Sequence, residues 1–128
     1  MPKKILIIED ETIMLNLLRR KLLGDGYEVY SAGDGEEGLE KMKEVKPDLV
    51  LLDIVMPKLS GIEVLERLQT EKEIKDIPII VISNSGQPVE IDKAKKLGAK
   101  DWLVKTEFDP REVREKVEKQ IGPSSESK

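Results

Sequence analysis

"DLVLLDIVMP", Asp48–Pro57, is the stretch on which the fold turns. Leu49, Val50, Leu51 and Leu52 follow one another without polar alternation. A strand of that kind is buried on both faces, as happens when helices cover the two sides of a parallel sheet. The run nevertheless ends on a carboxylate, Asp53. A charge at the end of a buried strand is costly unless something of opposite charge meets it.

Four more apolar runs lie to either side: "KILIIE" (Lys4–Glu9), "YEVYSA" (Tyr27–Ala32), "PIIVIS" (Pro78–Ser83) and "KDWLVK" (Lys100–Lys105). Amphipathic segments of helical length separate them, at Glu11–Leu23, Glu36–Val45, Ile62–Thr70 and Val89–Leu97, with Pro110–Ile121 closing the series. Strands alternating with helices in this way predict an α/β fold, (βα)5, with parallel pairing. Helix starts are marked by "DGEE" from Asp34, "SGIE" from Ser60 and "DPRE" from Asp109, each a capping side chain three residues before a Glu. Gly24, Gly26 and Gly98 stand where helices should stop. The second run, with Glu28, Tyr30 and Ser31, is polar enough for a sheet edge. One domain over residues 1–122 is expected, followed by a disordered tail, "PSSESK", at 123–128.

Composition excludes much. A chain of 128 residues suffices for one domain with a real core. Lys+Arg 22 against Asp+Glu 26 gives a net charge of -4, which offers no footprint for nucleic acid or an anionic membrane. The absence of Cys and His removes disulfides, thiolate chemistry, Ser-His triads and His-ligated zinc. "MPKKILIIEDE" is no signal peptide and no stretch has the length of a membrane span, so a cytoplasmic location is expected. The residues after Ile121 are too few for a DNA-binding module, and no nucleic-acid contact by this domain is expected.

The chemistry collects at strand ends. The first run ends in Glu9-Asp10-Glu11, the third in Asp53, the fourth in Ser83-Asn84-Ser85 and the fifth in Lys105-Thr106. In an open parallel α/β sheet all carboxyl ends share one edge, where ligands bind. An acidic pocket with one lysine and one hydroxyl is therefore expected. Carboxylates in contact repel, and a hard divalent cation relieves them. Oxygen donors without His or Cys favour Mg²⁺, with Mn²⁺ as the alternative. Asp53, alone at its strand end, is the candidate nucleophile of a phosphoryl-transfer site, with Lys105 and Ser83 answering the phosphoryl charge.

"IIEDE", "LLDIVMPKLSG", "VISNS" and "DWLVK", in that order over about Lys3 to Ile121, resemble the receiver domain of two-component response regulators. The resemblance implies a flavodoxin-like doubly wound sandwich with strand order 2-1-3-4-5. It implies phosphorylation of Asp53 by a histidine kinase or histidine phosphotransfer protein. Asp10 would then bind Mg²⁺ directly, Glu9 mostly through a water, and Val55 through its backbone carbonyl. Lys105 would pair with the phosphoryl group, the Ser83 hydroxyl would move toward it, and Trp102 would be the switch aromatic. Output would pass through the fourth helix, fifth strand and fifth helix to a downstream protein or a second copy. Such a domain is not an enzyme toward a separate substrate; it catalyses only its own phosphorylation and dephosphorylation. Three positions depart from the family pattern: Thr106 replaces a proline whose peptide is usually cis, so a trans bond is expected; Asn84 is larger than usual; and Trp102 is larger than Tyr or Phe.

Plainer uses exist for each residue. Glu9, Asp10 and Glu11 suit a helix N-terminus, Asp53 and Ser83 suit turns, Lys105 suits a solvated surface and Trp102 suits packing. A degenerate receiver that binds without phosphorylation is the main alternative. A haloacid-dehalogenase-like phosphohydrolase would need a second acid where Val55 stands, and a flavin site would need a glycine-rich loop where "EDETIML" is acidic. In the first helix, Leu15, Leu18 and Leu22 form one apolar arc, and Ile13, Met14 and Leu17 an adjacent one. The second arc is either a docking surface for a helical phosphodonor or a widened core face.

Overall fold

The computed structural model describes residues 2–56, 59–84, 88–107 and 109–123. Strands β1 (Lys4–Ile8), β2 (Glu28–Ala32), β3 (Leu49–Asp53), β4 (Ile79–Ser83) and β5 (Asp101–Val104) alternate with helices α1 (Thr12–Gly24), α2 (Gly35–Val45), α3 (Gly61–Leu68), α4 (Pro88–Lys96) and α5 (Pro110–Ile121). The strands form one parallel sheet in the order β2-β1-β3-β4-β5. No helix among the described residues is long and apolar enough to cross a membrane.

Strand alternation divides the core in two. Leu6, Ile8, Val50, Leu52 and Val81 face Leu39 and Met42 of α2, Val64, Leu65 and Leu68 of α3, and Ala94 of α4. Ile5, Ile7, Leu49, Leu51, Ile80 and Ile82 face Leu18 and Leu22 of α1 and Val113 and Val117 of α5. β1, β3 and β4 are thus covered on both sides, which explains their unbroken aliphatic runs. β2, with four of its five residues half-buried, lies at an edge.

The helix starts form as the sequence expects. Asp34 accepts from the Glu37 amide, and Ser60 and Glu63 make a reciprocal capping box. Asp109 accepts from the Arg111 amide, and Pro110 opens α5. Gly26 and Gly98 take positive φ, at 94° and 106°, after α1 and α4. α2 instead stops on Lys46, a non-glycine residue at φ 51°, a stop that composition does not announce.

One boundary matters for the site. β5 stops at Val104, one residue before its expected end, and Lys105–Glu107 form a 3-10 turn. Lys105 therefore stands on a turn at the sheet edge rather than on the strand. The described backbone contains no cis peptide, and the Lys105–Thr106 bond is trans.

Candidate functional site at the carboxyl edge of the sheet

Parallel register sets the neighbours. Ile8 lies opposite Leu52, so the next residues, Glu9 and Asp53, emerge side by side. The Glu9 amide extends the ladder by donating to the Ala32 carbonyl, and the Ile54 amide does the same to Ile82. Both carboxylates leave the sheet on the α1–α5 side, the side of Ile7 and Leu51. Gly61 fixes the chain just past Asp53. Its amide donates to the Ile54 carbonyl, and a Cβ there would strike the Asp53 carbonyl oxygen and approach Ile54 Cα to 2.7 Å. A side chain at that position would push α3 off the strand end.

Lys105 reaches into this corner and is only 7% exposed. Its ammonium lies 3.0 Å from Asp53 Oδ2 and 3.0 Å from Glu9 Oε2, and it also donates to Glu11 Oε1. The Val55 amide donates to Asp53 Oδ1 at 3.2 Å, and the Glu11 amide to Glu9 Oε2 at 3.0 Å. Glu9 Oε1 also sits 3.0 Å from the ammonium, yet it is buried and takes no aligned hydrogen bond. Lys105 thus meets the charge that the β3 sequence leaves buried at Asp53.

Burial dominates the electrostatics. It pushes the Glu9 carboxyl up to about 7, a shift reinforced by Asp53 and opposed by the Glu11 amide and Lys105. Burial likewise raises Asp53, while hydrogen bonds with Glu9, Lys105 and the Val55 amide draw it back. Burial alone would lower Lys105, but its bonds to Glu11, Asp53 and Glu9 outweigh that and hold it above the ordinary lysine value. The pocket therefore carries more negative charge than one ammonium neutralises.

Glu9, Asp10 and Asp53 each bring an oxygen within 4.8 Å of the others. An oxygen-only donor set at that spacing, with two of its members buried and one raised toward neutrality, fits a hard divalent cation of the magnesium class.

Ser83 is buried at the end of β4, beside β3, where Ile82 pairs with Asp53. Alternation places it on the other sheet face, with Val81 and Trp102. Trp102 is half-buried, with the Lys95 ammonium of α4 at 4.4 Å and that of Lys116 in α5 at 5.0 Å from its ring centroid. Lys116 also donates to the Trp102 carbonyl and, at 3.1 Å, to Asp101 Oδ1. Asn84 is exposed, and its carbonyl accepts from the Thr106 hydroxyl at 3.4 Å. Ser85 and the tail beyond residue 123 lie outside the described residues.

On α1 the second apolar arc splits. Ile13 is 79% exposed and Leu17 is exposed too, but Met14 is half-buried against the α1–α5 core. It lines a small gap with Leu18, Leu103 and Val113. α5 packs beside α1 closely enough to claim Met14, so the exposed stripe is Ile13 with Leu17. The sequence reading also missed the Glu11–Lys105 contact. Three acids in a row signalled a cluster without saying which would face the lysine.

Residues 5–118 match the family model of the response regulator receiver domain. The alkaline phosphatase synthesis transcriptional regulatory protein PhoP of Bacillus subtilis is 40% identical over all of this chain and 55% of that protein. The chemotaxis protein CheY of Thermotoga maritima is 40% identical over 93% of this chain and 98% of that protein. The solved structure of Vibrio cholerae CheY4 superposes with a TM-score of 0.88 at 27% identity, covering 94% of this chain and 100% of that one. The chain thus spans about half the length of the transcriptional regulators that it matches, and nearly all of the chemotaxis proteins.

Proposed function

Because the chain belongs to the response regulator receiver domain family, we propose that it works as a phosphorylatable switch with Asp53 as phosphoacceptor. The observation that carries this reading is the buried Asp53 carboxylate held 3.0 Å from Lys105 beside two further acids. Asp53 attacks the phosphorus of a phosphohistidine on a histidine kinase or phosphotransfer protein, or of a small acyl phosphate. The O–P bond forms as the donor's bond to phosphorus breaks. Asp10, Asp53 and the Val55 carbonyl, with Glu9 mostly through a water, would hold a magnesium-class ion, which would supply the positive charge that lets the acidic pocket accept another anion. Lys105, already in place, gives its ammonium to the transferred phosphoryl oxygens. Ser83 donates its hydroxyl from the neighbouring strand.

Output runs through α4, β5 and α5, with Trp102 as the element that changes. Its ring bridges lysines of both helices and shares a sheet face with Ser83. A phosphoryl group that draws Ser83 changes what Trp102 packs against and shifts an existing equilibrium. That face then takes a downstream protein or a second copy of the chain. Ile13, at the pocket mouth, and Leu17, exposed one turn further along α1, receive the phosphodonor, with Met14 as their half-buried support. The domain works in the cytoplasm and turns over no separate substrate.

Incubation with acetyl phosphate, with and without Mg²⁺, followed by intact-mass measurement tests the reading. A single phosphoryl adduct that requires metal and disappears in Asp53→Asn is expected. Unmodified protein under all conditions would leave a binding module that acts without phosphorylation.

A further inference from the structure

Glu11 is the residue of the acidic run that the phosphoryl-transfer reading does not use. It is the N-cap of α1, in extended conformation at φ -82° and ψ 115°, yet its side chain caps nothing. The carboxylate turns back instead onto the Lys105 ammonium. An ammonium has three N–H donors, and here three carboxylates face them: Glu9, Glu11 and Asp53. For Lys105 to bind a phosphoryl oxygen, one of the three must yield.

Exposure decides which. The Glu9 and Asp53 side chains are 0% and 2% exposed, and releasing either from Lys105 would strand a buried charge. The Glu11 side chain is 58% exposed, and water takes over its hydrogen bonds once it swings away. Glu11 also lines the open cavity of about 290 Å³ at the pocket mouth, together with Ile13, Met14, Asn84, Lys105 and Thr106. A small donor entering that cavity from solvent meets the Glu11 and Lys105 side chains together.

We propose that Glu11 is a positioning residue that acts as an internal competitor: its carboxylate occupies the place on Lys105 that a phosphoryl oxygen takes, and so slows phosphorylation by small anionic donors. The proposal rests on Asp53 being the phosphoacceptor. A carboxylate and a phosphoryl group present similar oxygens to an ammonium, so the two exclude each other at one N–H. Displacing Glu11 then becomes part of each phosphorylation event.

Glu11→Gln keeps the side chain's size and removes its charge. In the variant, acetyl phosphate should modify Asp53 about two- to fivefold faster at low ionic strength, the worth of one exposed ion pair. The gain should shrink as salt rises toward about 1 M, where the screening length falls to about 3 Å. A second readout needs neither metal nor phosphorylation. Lys105 in the metal-free variant should be acylated by acetic anhydride severalfold faster than in the parent, read from the mass of its peptide. Unchanged Lys105 acylation overturns the proposal, even if the phosphorylation rate rises, because the effect then bypasses Lys105. Faster acylation with an unchanged phosphorylation rate overturns it too. A parent protein that forms no Asp53 adduct at all defeats the phosphoacceptor reading instead, and the acylation result then reports only on the Glu11–Lys105 contact.

Discussion

Two lysines, each bound to a group on another element, separate the carboxyl edge of the sheet from its β5 margin. Lys105 is 7% exposed and holds two buried carboxylates, Glu9 and Asp53. Lys95 is exposed and lies 4.4 Å over the half-buried Trp102 ring. Both tie α/β elements together, but in different dielectric surroundings. At the carboxyl edge, losing the partner leaves charge where water cannot reach it. At the β5 margin, water replaces what is lost. The first region holds its charges by burial, and the second holds Trp102 by contacts that water can replace.

Breaking the buried side of the contrast should give the largest effect. Lys105→Met in metal-free buffer leaves Glu9 and Asp53 facing each other, and it should cost about 3 kcal/mol of stability at pH 8 by urea unfolding. A loss no greater than that of an exposed lysine would show that burial does not distinguish the two regions. The next effect sharpens the picture through pH. Glu9 has a folded value of about 7 against an ordinary 4.5. The folded state therefore binds more protons in that window, and its stability falls as pH rises from about 4.5 to about 7, then levels off. Glu9→Gln removes that slope and should make the metal-free protein more stable than the parent at pH 8, by on the order of 2 kcal/mol. Parallel pH–stability curves for the two proteins would contradict the burial account. The smallest effect belongs to the β5 margin. Lys95→Gln should cost about 0.5 kcal/mol while changing Trp102 fluorescence, since it removes one of two ammonium groups from the ring. An unaltered emission spectrum would mean that Lys95 does not rest on Trp102 in solution.

The same contrast tracks what was legible in the sequence. Near the carboxyl edge, the aliphatic runs and their terminal residues announced that Glu9, Asp53, Ser83 and Lys105 would come to one edge of a parallel sheet. The structure does bring Glu9, Asp10, Asp53 and Lys105 into one pocket, with Ser83 on the adjoining strand end. Details that depend on the turn after a strand were less accessible. Lys105 opens a 3-10 turn rather than ending β5, and Glu11 points back to it rather than capping α1. Periodicity describes faces of regular elements and is silent on a side chain at a junction between them. Met14 was ambiguous for another reason. Its place on α1 was clear, but the claim of α5 on it depends on how two helices far apart in sequence pack.

Sequence alone determined the order and type of the elements. Local hydrophobic period, capping residues and helix stops all act within a few residues, and Asp34, Ser60 and Asp109 behave accordingly. It also determined which residues stand at the carboxyl ends of the strands, because parallel strands joined by helices must share one edge. Only the tertiary structure decided how the charges there are distributed. Which acids are buried, which one remains exposed and how one ammonium is shared among three carboxylates depend on desolvation and distance. Those quantities exist only once residues nearly a hundred positions apart have met.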